Sequence, residues 1–398
     1  MPLRVSVAET GATFAAISVT HHSIGHVSLV KFDAAGDFQW LKERVASSLA
    51  GMVFINGHVA LAGEWGTIAA PVAVSLYDAE TGDLVWDRQV ADGLTYRDAS
   101  NETRQLTVDA NGNLMLLVSD HGDYVVVRFD PDGNALPTWR RTIDPDHDVL
   151  ATGIVALPDG GAVVTGQGRF LGGGYVTVRL DAQGNPVFTD VELGDIGNPL
   201  GPAHLALTAD DSVIVAAAPE SMGGVPRAQV WKLSSSGARL WTRVVSNPGS
   251  STTPLTIHSL VLAADGDALI EVAGLTDPFR LLRLAAMTGV VVWDVSAPIL
   301  GSPSTLALAP NGRVLVGSKG NSQESGRIAE LDADGNPCRI ADSPGMFSAV
   351  VAGAGSAGWS VLGATQFVPG SSPDAFVSHF DGGGACTLTD LLFKSGFE

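Results

Sequence analysis

Eight times along 398 residues, a short apolar strand runs into a tight turn and then into a second strand. The turns open at Asp33, Asp78, Asp130, Asp181, Ser234, Ala285, Asp332 and Asp381, in steps of 45, 52, 51, 53, 51, 47 and 49 residues. A period of this size running through the whole chain means one repeating architecture, not a string of unrelated domains. The third unit is the most regular: a strand over 104–110, then strands over 114–119, 124–129 and 136–142. Asn-Gly or Asp-Gly pairs at 56–57, 111–112, 159–160, 265–266 and 311–312 mark the first hairpin of five units, since both residue types tolerate positive φ.

Strands such as 114–119 and 124–129 are apolar at consecutive positions, so both of their faces must be covered. A sheet sandwiched between two like sheets meets that need. The expectation is all-β: a single β-propeller of four-stranded antiparallel blades. Counted from a first strand near Arg4–Ser18 to a fourth strand near Cys386–Leu391, the blades number eight, with seven and a degenerate terminal unit as the alternative. The propeller is placed at 1–390 and a tail at 391–398. Trp40, Trp86, Trp241 and Trp293 fall four residues after a turn glycine, Trp139 two residues later, and Phe188 replaces the ring in the fourth unit. A large ring at one blade position predicts a wedge between blades.

The apolar strand, the D-x-x-(T)-G-x-x-x-W turn and the preceding hairpin resemble bacterial β-propeller repeats of the quinoprotein-like and SBBP type. The resemblance spans about residues 4–390. It implies a fold and no particular activity. Quinone-dependent dehydrogenases of this blade type use a vicinal cysteine pair that this chain lacks, so no cofactor is carried over.

A net charge of −19 argues against nucleic acid as a partner. No apolar run reaches the ~20 residues of a membrane-spanning helix. The first residues lack the charged start and apolar core of a secretory signal. The last eight, LLFKSGFE, resemble a short C-terminal signature of exported proteins, which places the chain outside the cell or in the envelope of a Gram-negative bacterium. Two cysteines, Cys338 and Cys386, stand at the start of fourth strands in adjacent units. Outer strands diverge, so two free thiols are expected.

Enzyme signatures are missing. Ala354–Gly358 only approaches G-x-S-x-G and lacks the strand-to-helix elbow. His21, His22 and His26 lie together without an E-x-x-H helix. Asp144, Asp146 and Asp148 alternate on an expected loop, a weak cation candidate without the remainder of a calcium loop. The turns 130–134, 181–185 and 332–336 read as turn formers, not metal loops. His204 and His258 precede their hairpin acids by six and seven residues, near the start of innermost strands, with Glu102, Thr103 and Ser304 at comparable places. These five residues are the candidate binding set; the competing reading is an ordinary polar lining of the channel. The function expected is a non-enzymatic, monomeric binding module that takes a protein or glycan on its loop face. A hydrolase or lyase at the channel mouth and an assembly scaffold are the alternatives.

Overall fold

The computed structural model describes residues 3–8, 11–21, 24–35, 37–46, 48–66, 71–90, 105–168, 174–194, 201–219, 228–245, 255–274, 280–296, 302–309, 312–319, 327–342, 350–354, 358–364, 375–380 and 389–390. Every regular element among them is a strand. Seven sheets, spanning 3–45, 48–89, 106–142, 149–192, 204–245, 255–296 and 302–342, each hold four consecutive antiparallel strands. The first strands of consecutive sheets pack side by side around the ring.

The expectation of eight four-stranded blades is corrected: the molecule is a seven-bladed β-propeller. The eighth unit is degenerate: among the described residues it has three strands, Val350–Ala354, Gly358–Ala364 and Ala375–Phe380. Its first strand packs against the first strands of both the seventh and the first sheet. The described part of the segment expected as its fourth strand pairs elsewhere. Thr389–Asp390 instead pairs in parallel with Arg339–Ile340, on the outer edge of the seventh sheet.

The core lies between sheets, as the two-faced apolar strands require. In the third sheet Leu114, Leu116 and Val118 pack toward the second sheet, while Met115 and Leu117 pack toward the fourth. Six such layers, each drawn from two consecutive sheets, join the seven blades. Alternation along a pleated strand therefore serves two cores at once.

The recurring ring and the recurring glycine meet across these layers. Trp86 of the second sheet sits over the turn glycine Gly133 of the third, and Trp241 of the fifth over Gly289 of the sixth. A Cβ added at Gly133 would fall 2.8 Å from the Trp86 ring, and one at Gly289 2.5 Å from Trp241. The same pairing joins Trp40 to Gly82, Trp139 to Gly184, Phe188 to Gly237 and Trp293 to Gly335. The indole N–H then donates to a carbonyl of that turn: Trp40 to Glu80, Trp86 to Pro131, Trp241 to Ala286 and Trp293 to Ala333, at 3.0–3.1 Å. The expected wedge is thus a lock, whose two halves belong to successive units.

A cation two residues before the turn forms a second lock. Lys31 reaches Glu80, Arg179 the Ser235 carbonyl, Lys232 the Ala286 carbonyl and Arg283 the Ala333 carbonyl, each on the turn of the next sheet. Arg128, at the same position in the third sheet, stacks on Trp139 with its guanidinium carbon 4.1 Å from the ring centroid.

The cysteines depart from expectation. Cys338 is disulfide-bonded, and with two cysteines in the chain its partner is Cys386, which lies outside the described residues. The prediction of free thiols assumed that each fourth strand stays with its own blade. The crossing of Thr389–Asp390 to the seventh sheet removes that assumption.

Candidate functional site

Innermost strands carry an irregularity that determines where the candidate residues fall. Those of the second, fourth, sixth and seventh sheets each contain one extra residue, Ala50, Thr152, His258 and Ser304 respectively. A bulge of this kind bends the strand and shifts every later side chain by one place. His258 and Ser304 are therefore equivalent, whereas His204, at the first paired position of its strand, lies one step further on. Glu102 and Thr103 lie outside the described residues, and of Ser304 only the backbone is described.

His204 and its counterpart in the third sheet, Gln105, perform the same task. Gln105 Nε2 donates to the Ala151 carbonyl of the fourth sheet at 2.8 Å, and His204 Nε2 donates to the Ile257 carbonyl of the sixth at 3.1 Å. Thr152 Oγ1 bonds the Ala203 carbonyl of the fifth sheet at 3.3 Å. These bonds tie one inner strand to the next at the level of the bulges. They bring His204 beside the residue preceding His258. His258 Nε2 lies 2.7 Å from Thr256 Oγ1, whose hydroxyl donates to the Ala273 carbonyl, so the imidazole N–H is the donor between them. The two histidines thus sit on neighbouring strands within a structural belt.

The loop between the third and fourth sheets holds the acidic candidate. Asp144 is buried, accepting from the Asp146 N–H at 3.0 Å and from His147 Nδ1 at 2.9 Å. Asp148 turns to His121, whose Nδ1 lies 3.3 Å from its carboxylate. Arg140 bridges Asp120 and Asp123 at 2.6 and 2.5 Å nearby, and these hydrogen bonds raise its pKa further above its ordinary value. The carboxylates of Asp144 and Asp148 thus bond different histidines. Among the described residues no group of three or more His, Cys, Asp or Glu side chains is arranged to hold a metal ion. What the corner does present is a half-exposed imidazole oriented by a buried carboxylate, His147 on Asp144.

The repeated turn acids act on their own turns. Asp130 accepts from the Asn134 side chain and backbone N–H, and Asp181 accepts from Asn185 in the same way. Those side-chain and backbone bonds hold both carboxyls below the usual carboxylate range.

One cleft opens where the sequence pointed away from function, on the face of the hairpin turns. It has a volume of about 370 Å³ and lies between the second and third sheets, lined by Asn56, His58, Val85, Trp86, Arg88 and Asp132 among others. Arg88 Nε is already committed to the Gly133 carbonyl and Trp86 Nε1 to Pro131, so its walls belong to the blade lock.

The larger feature is on the rim, where the scaffold alternative placed recruitment of other chains. All the exposed large apolar side chains among the described residues lie in or beside fourth strands: Phe38, Leu41 and Val45; Leu84 and Val85; Val187, Val191 and Leu193; Leu240 and Val244; Met287, Val290 and Val292. Leu240 and Val187 are each 51% exposed and Val292 55%. Their alternation with polar residues was present in the sequence, where two-faced burial was expected of strands such as 114–119 and 124–129.

No protein-family model matches the chain, and no curated protein sequence does. Among solved structures it is similar to BamB from Moraxella catarrhalis, at 15% identity over 91% of this chain and 93% of that one, with a TM-score of 0.56. It is also similar to the periplasmic gluconolactonase PpgL of Pseudomonas aeruginosa (18% identity, 82% and 94% coverage, TM-score 0.52). A third is Saccharomyces cerevisiae Sqt1 (11% identity, 95% of each chain, TM-score 0.60). The shared feature is the fold. This chain is a β-propeller.

Proposed function

We propose that this propeller is a protein-binding module of the bacterial envelope, holding an extended segment of its partner along the rim. The observation that carries this reading is the placement of the exposed apolar side chains in and beside the fourth strands. Single exposed apolar residues are ordinary, but a recurring set on sheet edges marks a surface built to be covered. A fourth strand also has main-chain donors and acceptors on its outer side, which an added strand satisfies. The chain supports the mode itself, since Thr389–Asp390 adds to the outer edge of the seventh sheet. This moves the binding surface from the expected loop face to the rim, and favours a protein over a glycan.

Location follows from chemistry and likeness together. A disulfide persists in oxidising compartments, and the gluconolactonase whose fold is shared is periplasmic by description. The finer assignment to quinoprotein-like or SBBP repeats belongs to the same reading, as do the monomeric state and the division at residue 390. The hydrolase alternative rests on the His147–Asp144 pair, which matches one element of a base-and-orienter arrangement and no more.

A photo-crosslinking residue placed at Leu240 or Val187, and at His147 for comparison, tests the surface in envelope preparations of the source cell. One defined adduct from the rim positions, lost when Leu240→Asp and Val244→Asp are combined, supports the reading. Adducts from His147 alone return binding to the loop face.

A further inference from the structure

The second seam has the aromatic lock without the cationic one. The residue paired with the ring across the hairpin is Lys31 on Trp40, Arg179 on Phe188, Lys232 on Trp241 and Arg283 on Trp293, but Leu76 on Trp86. The counter-acid is absent as well. Arg179, Lys232 and Arg283 are each anchored by an acid in the first turn of their own sheet, Asp159, Asp210 and Asp265. The second sheet turns there through Asn56 and Gly57 alone, between the paired residues Ile55 and His58.

The cleft of about 370 Å³ lies at this place, and Leu76 forms part of its wall. Such a volume suits a small ligand or a single inserted side chain. What the wall presents is mostly acceptors. The Pro131 carbonyl takes the Trp86 indole N–H at 3.0 Å and, among the described residues, no other donor. The equivalent carbonyls of the fifth and sixth seams, Ala286 and Ala333, take a cation besides the indole. A carbonyl has two lone pairs, so Pro131 keeps one for a second donor. His58 Nδ1 stands 3.0 Å from the Asn56 carbonyl, which can only accept, so the neutral ring carries its lone pair on Nε2. Asp132 adds a full negative charge, and the Trp86 ring an electron-rich surface. Arg88 spends its Nε on the Gly133 carbonyl at 2.8 Å and its Nη1 on that of Asp87 at 3.0 Å.

We propose that this cleft binds an organic cation, a guanidinium or ammonium head on an aliphatic stem, in the place that a lysine or arginine of the chain itself takes in five other sheets. The stem packs on Leu76, Leu114 and Ile55, and the head donates to the Pro131 carbonyl and the Asp132 carboxylate. Arg283 on Ala333 is the chain's own version of that contact. The inference rests on the second seam alone and is independent of the partner proposed for the rim.

Calorimetric titration of the full chain with butylguanidinium, and with butylurea as its neutral isostere, tests it. The cation is expected to bind at least about tenfold more tightly than the urea. Asp132→Asn, in an exposed turn, should weaken the cation about tenfold and leave the urea unchanged. Leu76→Arg, which supplies the cation from within, should abolish binding while keeping the parent's thermal unfolding. A capped pentapeptide with one central arginine separates the sources: tighter binding than butylguanidinium assigns the site to a side chain of another protein, and weaker binding to a free guanidine or amine. No binding of butylguanidinium, equal affinity for it and butylurea, or an affinity unchanged by Asp132→Asn would overturn the proposal.

Discussion

The sixth and seventh seams are neighbours built on opposite plans. At the sixth, Trp293 Nε1 and Arg283 Nη1 converge on one carbonyl, that of Ala333, both at 3.0 Å. Arg283 is anchored behind by Asp265 and Asp267 at 2.5 and 2.9 Å. At the seventh, the corresponding positions hold Arg339 and Glu330, 3.6 Å apart within the sheet, and the neighbouring Cys338 is disulfide-bonded. One seam is held by many weak contacts that form as the sheets pack. The other carries a covalent bond besides the packing of its first strands. A ring made of like units can therefore combine noncovalent and covalent seams without any change of fold.

The widest separation between the two plans should come from removing a ring. Trp241 is buried at the fifth seam, and its loss opens a cavity as well as leaving the Ala286 carbonyl without its indole donor. Trp241→Ala is expected to lower unfolding free energy by about 3–5 kcal/mol, measured in urea. The loss should be the same in oxidised and reduced protein. If reduction changes it, the fifth and seventh seams are coupled and the contrast between them fails.

A glycine substitution sharpens the same point, because two glycines of equal backbone conformation differ in what stands over them. Gly133 has φ +81° with the Trp86 ring above it, whereas Gly160 has φ +84° and meets only Ala182 at 3.5 Å. Gly160→Ala carries the left-handed conformational cost alone, about 1–2 kcal/mol. Gly133→Ala adds displacement of the ring, for about 2–4 kcal/mol in total. Equal losses in thermal or urea unfolding would mean that the ring yields without cost and that the lock is not tight.

These contrasts show what the sequence could and could not convey. The turn acids and the apolar strands were visible because each acts on residues close to it in sequence, and the period because those local signals recur. The glycine and the tryptophan were visible too, but not that each glycine serves the ring of the preceding unit; that contact joins positions such as Trp86 and Gly133. His204 and His258 were read as equivalents because a bulge of one residue leaves no mark in composition, yet it offsets them. Cys338 and Cys386 were judged too far apart by a rule about outer strands, a rule that lapses once Thr389–Asp390 leaves its own blade. The rim entered only as the ground of the scaffold alternative: fourth strands mix charged and apolar residues, and which apolar ones lie in solvent, as Leu240 and Val187 do, follows from their place at the edge.

The cationic lock is the weaker of the two, and Arg283→Met measures it. The substitution keeps much of the aliphatic stem while removing the bond to Ala333 and the pairs with Asp265 and Asp267. Its cost should be about 1–2 kcal/mol, well below that of the ring. A larger loss than that of Trp241→Ala would reverse the ranking of the two locks.

The smallest expected effect is on acid stability, at the cation of the fifth seam. Asp210 is held well below the usual carboxylate range, first by the Thr208 hydroxyl against the opposing effect of burial, then by Lys232 and the Ser212 N–H. A carboxyl whose folded pKa is depressed releases more of its proton in the folded state than in the unfolded one. Its contribution is therefore complete above the unfolded value, ~4, and is lost as pH falls through the lower folded value. The Asp210 side chain is 55% exposed, so solvent screening keeps the effect modest. Asp210→Asn should lower stability slightly at neutral pH and flatten the acid limb of the stability curve below pH ~4, leaving the neutral-to-alkaline side parallel to the parent. The seventh seam lacks this arrangement, since its acid, Glu330, stands on the strand and its arginine, Arg313, at the turn. An Asp210→Asn curve parallel to the parent at every pH would show that Lys232 holds its seam through the Ala286 carbonyl, with the turn acid a bystander.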